Sequence, residues 1–205
     1  MHSKTKRSEA KENTRCILMQ TSLELFASNG FNGTSMEMIA RKAGVSKGLA
    51  YTYFASKNEI LIEIIKTFTD KKRTILKSII GESTTPFEKI KKLIESAVDT
   101  DAENEAGRDM HRLLYMIKLQ PGFSEMLQSL SSEMKPQILE DMEMIDSLLK
   151  KIGVKNPAKE REYIKTVITG IMILYLSCPK DPPFPYPYEQ LKKDLIDRYR
   201  PENWK

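Results

Sequence analysis

The fold of this chain is decided by the stretch TSMEMIARKAGVSKGLAYTYFASKNEI, residues 34–60. Before its central glycine, apolar residues recur at the i, i+3, i+4, i+7 spacing of an amphipathic helix, namely Met36, Ile39, Ala40 and Ala43. Gly44 ends this pattern, and Ser46 stands where a helix N-cap is expected. The pattern predicts two short helices, 35–43 and 46–53, joined by a tight turn. The second helix is rich in lysine, serine and tyrosine, so we expect it to face outward.

The rest of the chain also shows helical spacing of its apolar residues, and no sustained alternation predicts a strand. We therefore expect an all-α protein of about nine helices. Besides the two short helices, they are one ending near Gly30 and segments 57–80, 86–105, 107–119, 123–151, 157–178 and 188–199. Pro136 is expected to interrupt or kink the segment 123–151. Five prolines within residues 179–187 exclude a helix or a central strand there.

The excess positive charge lies in the first quarter of the chain. Residues 1–57 hold nine lysines and arginines against four glutamates, whereas the remainder holds 24 residues of each sign. A basic segment joined to a neutral body suggests a polyanionic partner at one end. The basic N-terminal tail with Lys4, Lys6 and Arg7 is expected to be disordered, although it could instead lie along a nucleic acid.

Composition argues against several classes of function. No apolar run approaches the ~18–20 residues that cross a bilayer, and the polar N-terminus resembles no targeting signal, so we expect a cytoplasmic protein without a membrane partner. Only two cysteines and two histidines are available, which leaves few ligands for a metal. The motifs of hydrolases, nucleotide-binding loops and zinc proteases are absent. We therefore expect no enzyme, no catalytic residue, no metal and no cofactor.

Residues 17–61, ILMQTSLELFASNGFNGTSMEMIARKAGVSKGLAYTYFASKNEIL, closely resemble the DNA-binding domain of TetR-family transcriptional regulators. The most specific elements are LF, GF, TS, IA, AGVSKG and Y.YF.SK, which match in register without a gap. The resemblance implies a helix-turn-helix DNA-binding domain in residues 1–57, with a recognition helix at about 46–53. Residues 58–205 would then form a helical regulatory and dimerisation domain, although they agree with the family only in being helical.

The resemblance implies which residues contact double-stranded DNA. The matching positions are Thr34, Ser35, Ser46, Lys47, Gly48, Tyr51, Thr52, Tyr53 and Lys57. Gly48 would allow close approach, Lys47 would reach guanine acceptors or a phosphate, and Tyr51 would contact a thymine methyl or a phosphate. Ser35 and Ser46 could equally serve as helix caps alone.

A homodimer on a palindromic operator is expected, because one helix-turn-helix contacts too few bases. The helix at 157–178 is apolar on two sides, which fits one face for its own core and one for a second copy. The predicted interface comprises Tyr163, Val167, Gly170, Ile171, Leu174, Leu191 and Leu195.

The helical body is expected to hold a small, mostly apolar effector, as in most relatives of the family. Methionine is adaptable and common at apolar binding sites, and seven of the eleven methionines fall between residues 110 and 172. The candidate residues are His111, Tyr115, Met116, Met142 and Met172. The leading hypothesis is thus a repressor released by this effector. The alternative is a DNA-binding dimer without an effector, controlled by a protein partner or by abundance.

Overall fold

A computed structural model describes residues 2–103, 105–119, 128, 130, 132–177 and 188–204. The predicted all-α class is confirmed, since nine α-helices and no strand are delimited among these residues. The helices are α1 (His2–Asn29), α2 (Met36–Lys42), α3 (Lys47–Tyr53), α4 (Lys57–Gly81), α5 (Pro86–Glu103), α6 (Glu105–Leu119), α7 (Lys135–Lys151), α8 (Pro157–Ser177) and α9 (Tyr188–Asp197). A short 3₁₀ helix, which the sequence did not predict, follows at Pro201–Trp204. Within the described ranges, no helix combines the length and the apolar character that a membrane span requires.

The chain forms two compact units. Unit 1 comprises Met1–Asp70 with Asp109–Ser124, and unit 2 comprises Lys71–Arg108 with Glu125–Lys205. The divisions after Asp70 and after Arg108 fall within helices, so α4 and α6 each contribute residues to both units. The sequence predicted that the DNA-binding domain ends at residue 57 and that a regulatory domain follows. The two compact units do not test this division by function, so it stays a prediction.

Unit 1 buries apolar residues of the first four helices and of α6. Its least exposed apolar side chains, each at most 1% exposed, are Leu18, Phe26, Ile39, Ala50, Phe54, Ile60, Leu61, Leu113 and Ile117. The helix α2 packs against both α1 and α3. Arg15 of α1 adds a polar link, because its guanidinium lies 2.8 Å from Glu63 of α4 and 5.2 Å from the ring centroid of Phe54. This core holds the two short helices in place, since seven residues form too short a helix to be stable alone.

The core of unit 2 joins α5, α7 and α9. Its buried residues are Ile90, Ile94, Leu148, Leu149, Ile152, Val154, Leu195, Ile196 and Tyr199. Half-buried apolar residues of α8 pack against this cluster, among them Ile164, Val167 and Ile168. The C-terminal end is tied down as well, because the Tyr199 ring stacks on Trp204 at a centroid distance of 6.1 Å.

The N-terminus differs from its prediction. We expected a disordered basic tail, but α1 begins at His2 and continues without a break to Asn29. The physical reason is local composition: lysine, glutamate and alanine favour a helix, and residues 2–29 contain neither glycine nor proline. Gly30 ends α1 as predicted, with a positive φ of 74° that suits glycine.

Pro136 marks a helix start rather than a kink. Met134 forms a turn, and Pro136 lies in the first turn of α7, where a missing backbone N–H costs nothing. The predicted helix at 123–151 is therefore interrupted. Residues 120–127, 129 and 131 lie outside the described residues, as does the proline-rich segment 178–187, and the predictions for them stay open.

Candidate nucleic-acid interface

The turn between α2 and α3 is set by backbone hydrogen bonds around Gly44. The Gly44 N–H donates to the Arg41 carbonyl over 3.2 Å, and the Val45 N–H donates to the Ala40 carbonyl over 3.0 Å. Together with the φ of +71° at Gly44, these bonds form a Schellman motif. A side chain at this position would strain the backbone. The glycine therefore determines the direction in which α3 leaves α2.

Serine residues cap both short helices. The Ser35 hydroxyl accepts from the Met38 N–H over 3.2 Å, and the Ser46 hydroxyl accepts from the Leu49 N–H over 3.1 Å. The predicted caps are thus confirmed. Both serines are exposed, and an accepting hydroxyl still has its own proton to donate outward.

The helix α3 is anchored by one face only. Ala50 is fully buried, and the Phe54 N–H that ends the helix donates to the Ala50 carbonyl over 3.1 Å. At about 100° per residue, Gly48 and Thr52 point almost directly away from Ala50. The exposed residues of the helix are Lys47, Gly48, Leu49, Tyr51 and Thr52, whereas Tyr53 is half-buried. The arrangement can present a mostly polar surface to a groove while the core stays closed.

The polar groups on this surface are only lightly engaged within the chain. The Lys47 ammonium lies 3.4 Å from Glu37 in an exposed pair, which is weak in water. The Thr52 hydroxyl donates to the Leu49 carbonyl over 2.7 Å, so its oxygen remains able to accept. A Cβ atom placed on Gly48 would meet nothing within 4 Å. The fold therefore does not require a glycine at this position.

Two predicted DNA-contacting residues face inward. Thr34 is only 2% exposed, and its hydroxyl donates to the carbonyls of Leu25 and Gly30 over 3.2 and 2.9 Å. Lys57 is half-buried, and its ammonium donates to the carbonyls of Phe31 and Thr34 over 2.8 and 2.9 Å. It also lies 4.5 Å from the Phe31 ring centroid. Both side chains hold the loop between α1 and α2, because their polar groups satisfy backbone carbonyls there, and their contact with DNA stays a prediction.

One exposed residue of α3 was absent from the predicted set. Leu49 is 42% exposed, while its neighbour Ala50 is fully buried. The predicted set was taken from positions that match the family motif, and Leu49 is not among them. One signal was available in the sequence. The alanine at position 50 occupies the buried position of the helix, and the larger apolar Leu49 stands next to it.

The predicted interface residues of unit 2 divide into exposed and buried groups. Tyr163, Leu174 and Leu191 are exposed, Val167 and Gly170 are half-buried, and Ile171 and Leu195 are buried within the chain. Ile173, not predicted, is also exposed. The exposed members lie on α8 and α9.

The predicted effector residues are distributed over both units. In unit 1, the ring of His111 lies 5.9 Å from that of Phe68 and 6.0 Å from that of Tyr115, and Met116 is half-buried on the same helix α6. In unit 2, Met172 is fully buried and Met142 is half-buried. Their role in binding stays a prediction.

Comparison with known proteins confirms the resemblance to the TetR family. Residues 18–64 match the sequence model of the bacterial regulatory proteins of the tetR family. The chain is 28% identical over 165 residues to the HTH-type transcriptional regulator YuxN of Bacillus subtilis, a match that covers 79% of this chain. The match covers 53% of YuxN, so the chain spans about half the length of this curated relative.

Solved structures share the fold. The fatty acid degradation regulator FadR from Bacillus halodurans superposes with a TM-score of 0.70 at 18% identity, covering 91% of this chain and 94% of that one. The ketosteroid transcriptional regulator KstR2 of Mycobacterium tuberculosis gives a TM-score of 0.63 at 21% identity, covering 90% and 92%. The chain therefore shares its helical fold with these two regulators over about nine tenths of its length.

Proposed function

We propose that this TetR-family chain is a sequence-specific transcriptional regulator that binds a palindromic operator as a homodimer in the bacterial cytoplasm. The observation that carries the proposal is the geometry of α3, which is anchored by Ala50 and exposes Lys47, Gly48, Tyr51 and Thr52. This helix lies inside the segment that matches the family model.

The exposed face suits a DNA major groove. The groove is about 12 Å wide and admits one helix, so the residue nearest its floor should be small. Gly48 and Thr52 lie opposite the buried Ala50 and so occupy the middle of the face. Lys47 and Tyr51 stand beside them with donors for base edges or phosphates. Close approach at the centre with donors on one flank suits the reading of base edges.

Contacts to the phosphate backbone of the DNA complete the interface in this proposal. The hydroxyls of Ser35 and Ser46 already accept from helix amides, which leaves each hydroxyl proton free to donate to a phosphate oxygen. Tyr53 is half-buried at the end of α3 and stays in the proposed set. The ammonium group of Lys57 donates two hydrogen bonds to backbone carbonyls, so we assign this residue a primarily structural role. The net charge of residues 1–57, nine basic against four acidic side chains, supports attraction to DNA.

The proposed dimer uses α8 and α9. Tyr163, Leu174 and Leu191 expose apolar surface on these helices, and a second copy of the chain would cover it. Gly170 lies on α8 with open space beside it, and this space would permit close approach of a helix from the second copy. Ile171 and Leu195 would support this face from within the core rather than contact the partner directly.

Repression relieved by a small, mostly apolar effector is the mode of action that we propose. Two structural relatives are named as a fatty acid degradation regulator and as a ketosteroid transcriptional regulator, and fatty acids and ketosteroids are largely apolar compounds. KstR2 is also named a transcriptional repressor. The candidate residues lie in both units: His111, Tyr115 and Met116 supply polar, aromatic and apolar groups in unit 1, and Met142 and Met172 supply apolar groups in unit 2.

Selection of genomic fragments by the purified chain tests DNA binding. At physiological salt we expect enrichment of one palindrome whose half-site centres lie one helical turn, about 34–36 Å, or a multiple of it apart. Enrichment of no common sequence would overturn the proposal. A shuffled fragment of the same length and composition serves as the control for non-specific binding.

Release from that operator tests the effector. Long-chain fatty acids and ketosteroids are added to the preformed complex, and we expect one class to lower operator affinity at least tenfold. If no compound of these classes shifts the affinity, the proposed effector class is wrong. Unchanged affinity with every apolar compound would instead favour a regulator controlled by abundance or by a protein partner.

A further inference from the structure

We infer that Leu49 is a specificity-determining residue, and that its side chain contacts the C5 methyl group of a thymine in each operator half-site. This inference rests on the proposed function, since it concerns what the same helix reads on the DNA. The motif-based set of DNA contacts does not include this residue.

The order of side-chain sizes on α3 is the first argument. Leu49 is 42% exposed, whereas Ala50 is fully buried. Burying a leucine removes far more apolar surface from water than burying an alanine. If packing alone governed these two positions, the reverse order would be favoured. The exposed leucine therefore serves something other than the core of unit 1.

The second argument is that the backbone of Leu49 is held at both of its polar groups. Its N–H donates to the Ser46 hydroxyl over 3.1 Å, and its carbonyl accepts from the Thr52 hydroxyl over 2.7 Å. Because the backbone is already fixed, a contact made by Leu49 restricts only the rotamers of its own side chain. The backbone of Leu49 is thus preorganised for contact.

The third argument is the position of Leu49 around the helix. Leu49 and Tyr51 lie about 80° on either side of the direction opposite Ala50, with Gly48 and Thr52 between them. A helix that enters a groove with Gly48 foremost brings both flanking side chains toward base edges. Leu49 would meet the bases on one side of the groove, and Tyr51 would meet those on the other.

The chemistry of leucine then selects its target. A leucine side chain neither donates nor accepts hydrogen bonds, so it gains nothing at guanine, adenine or cytosine edges. The only apolar group that standard bases present in the major groove is the C5 methyl of thymine. Leu49 would favour thymine over cytosine at one position, and it would distinguish the two orientations of an A·T pair.

Single-atom changes in the DNA test this inference. Each thymine of the selected operator is replaced symmetrically in both half-sites by uracil, which lacks the methyl group, and by 5-bromouracil, whose bromine restores its volume. Affinities are measured for the unmodified chain, for Leu49→Ala and for Tyr51→Ala. Leu49 is exposed, so Leu49→Ala should fold normally, and circular dichroism checks this.

At one thymine position we expect uracil to weaken binding by the unmodified chain about fourfold for each half-site, and bromouracil to restore it. Leu49→Ala should bind the thymine and uracil operators equally, whereas Tyr51→Ala should still distinguish them there. The inference is overturned if no thymine is sensitive, or if Leu49→Ala keeps the full sensitivity of the unmodified chain. If no operator can be selected at all, the proposed function fails and the inference falls with it.

Discussion

The ammonium of Lys57 donates a hydrogen bond to the backbone carbonyl of Thr34 over 2.9 Å. The family motif marks both residues as DNA contacts, yet in the fold they contact each other. A second bond from Lys57 to the Phe31 carbonyl spans 2.8 Å, so the lysine ties the start of α4 to the loop before α2. The motif therefore contains a structural contact alongside the proposed contacts to DNA.

Replacing Lys57 by methionine separates these two roles. Lys57→Met leaves two carbonyls without their donor, and we expect the free energy of unfolding to fall by about 1–3 kcal/mol. Lys42→Met is the matched control, because Lys42 forms only a surface pair with Glu24 at 3.0 Å and should cost less than about 1 kcal/mol. Urea unfolding at neutral pH measures both. A Lys57→Met protein of unchanged stability that binds DNA weakly would restore the phosphate-contacting role.

Gly48→Ala should increase the stability of the fold while weakening the binding of DNA. The added methyl meets nothing within 4 Å, and alanine favours a helix over glycine by about 1 kcal/mol. We expect a higher melting temperature together with weaker operator binding, because the methyl would hold α3 away from the groove floor. Gly44→Ala is the contrasting control and should lower the melting temperature, since Gly44 has a φ of +71°. Unchanged operator affinity in Gly48→Ala would argue against close approach.

Lys47 and Tyr51 are expected to differ in how salt affects their contribution. Operator affinity should fall steeply with rising salt, and Lys47→Ala should reduce that slope by about one for each half-site if the lysine contacts a phosphate. Tyr51→Ala should weaken binding, and Tyr51→Phe tells a ring contact from a hydroxyl contact. Titrations between about 50 and 200 mM salt measure these slopes. Affinity that does not depend on salt would contradict the assignment of α3.

Leu174→Glu should disrupt the proposed dimer. Leu174 is 42% exposed on α8, and a carboxylate there would lose its hydration if a second copy covered it. We expect a monomer in sedimentation experiments and weaker operator binding as a consequence. Leu139→Glu is the control, because Leu139 is 48% exposed on α7 outside the predicted interface. If both variants remain dimeric, the interface lies elsewhere.

Glu160 makes the stability of unit 2 depend on pH in the acidic range. Burial alone would raise the pKa of Glu160, but hydrogen bonds from Arg198 and from the Tyr199 hydroxyl outweigh burial and hold this pKa below its ordinary value. A lowered pKa means that Glu160 contributes stability above its ordinary pKa of about 4.3 and loses it as pH falls through the lowered pKa.

Glu160→Gln removes this contribution. At pH 7 we expect a loss of about 1–3 kcal/mol, and the difference from the unmodified chain should shrink as the pH falls below about 4. Glu162→Gln is the control, since its carboxylate is about half exposed and its surface pairs should contribute little. Urea unfolding at several pH values measures the difference. A constant difference across this range would show that ionisation of Glu160 does not stabilise the fold.

The effector residues illustrate the limit of reasoning from composition. Methionine content drew attention to His111, Tyr115, Met116, Met142 and Met172, but these residues belong to two different compact units. Helical spacing identifies the face of a helix that is buried, and it contains no information about which distant segment covers that face. The N-terminus shows a related problem. Its positive charge suggests a polyanionic partner, but charge does not predict that these residues form the helix α1.

What the sequence by itself determined is local. Helix ends follow from short-range chemistry, so the stop at Gly30, the turn at Gly44 and the caps at Ser35 and Ser46 were all predictable. The tertiary structure alone decided which polar groups face inward and which apolar groups face outward. Thr34 and Lys57 turn toward buried carbonyls, because an unsatisfied carbonyl in the core costs more than a lost contact with water. Leu49 stays exposed because Ala50 already occupies the only face of α3 that meets the core.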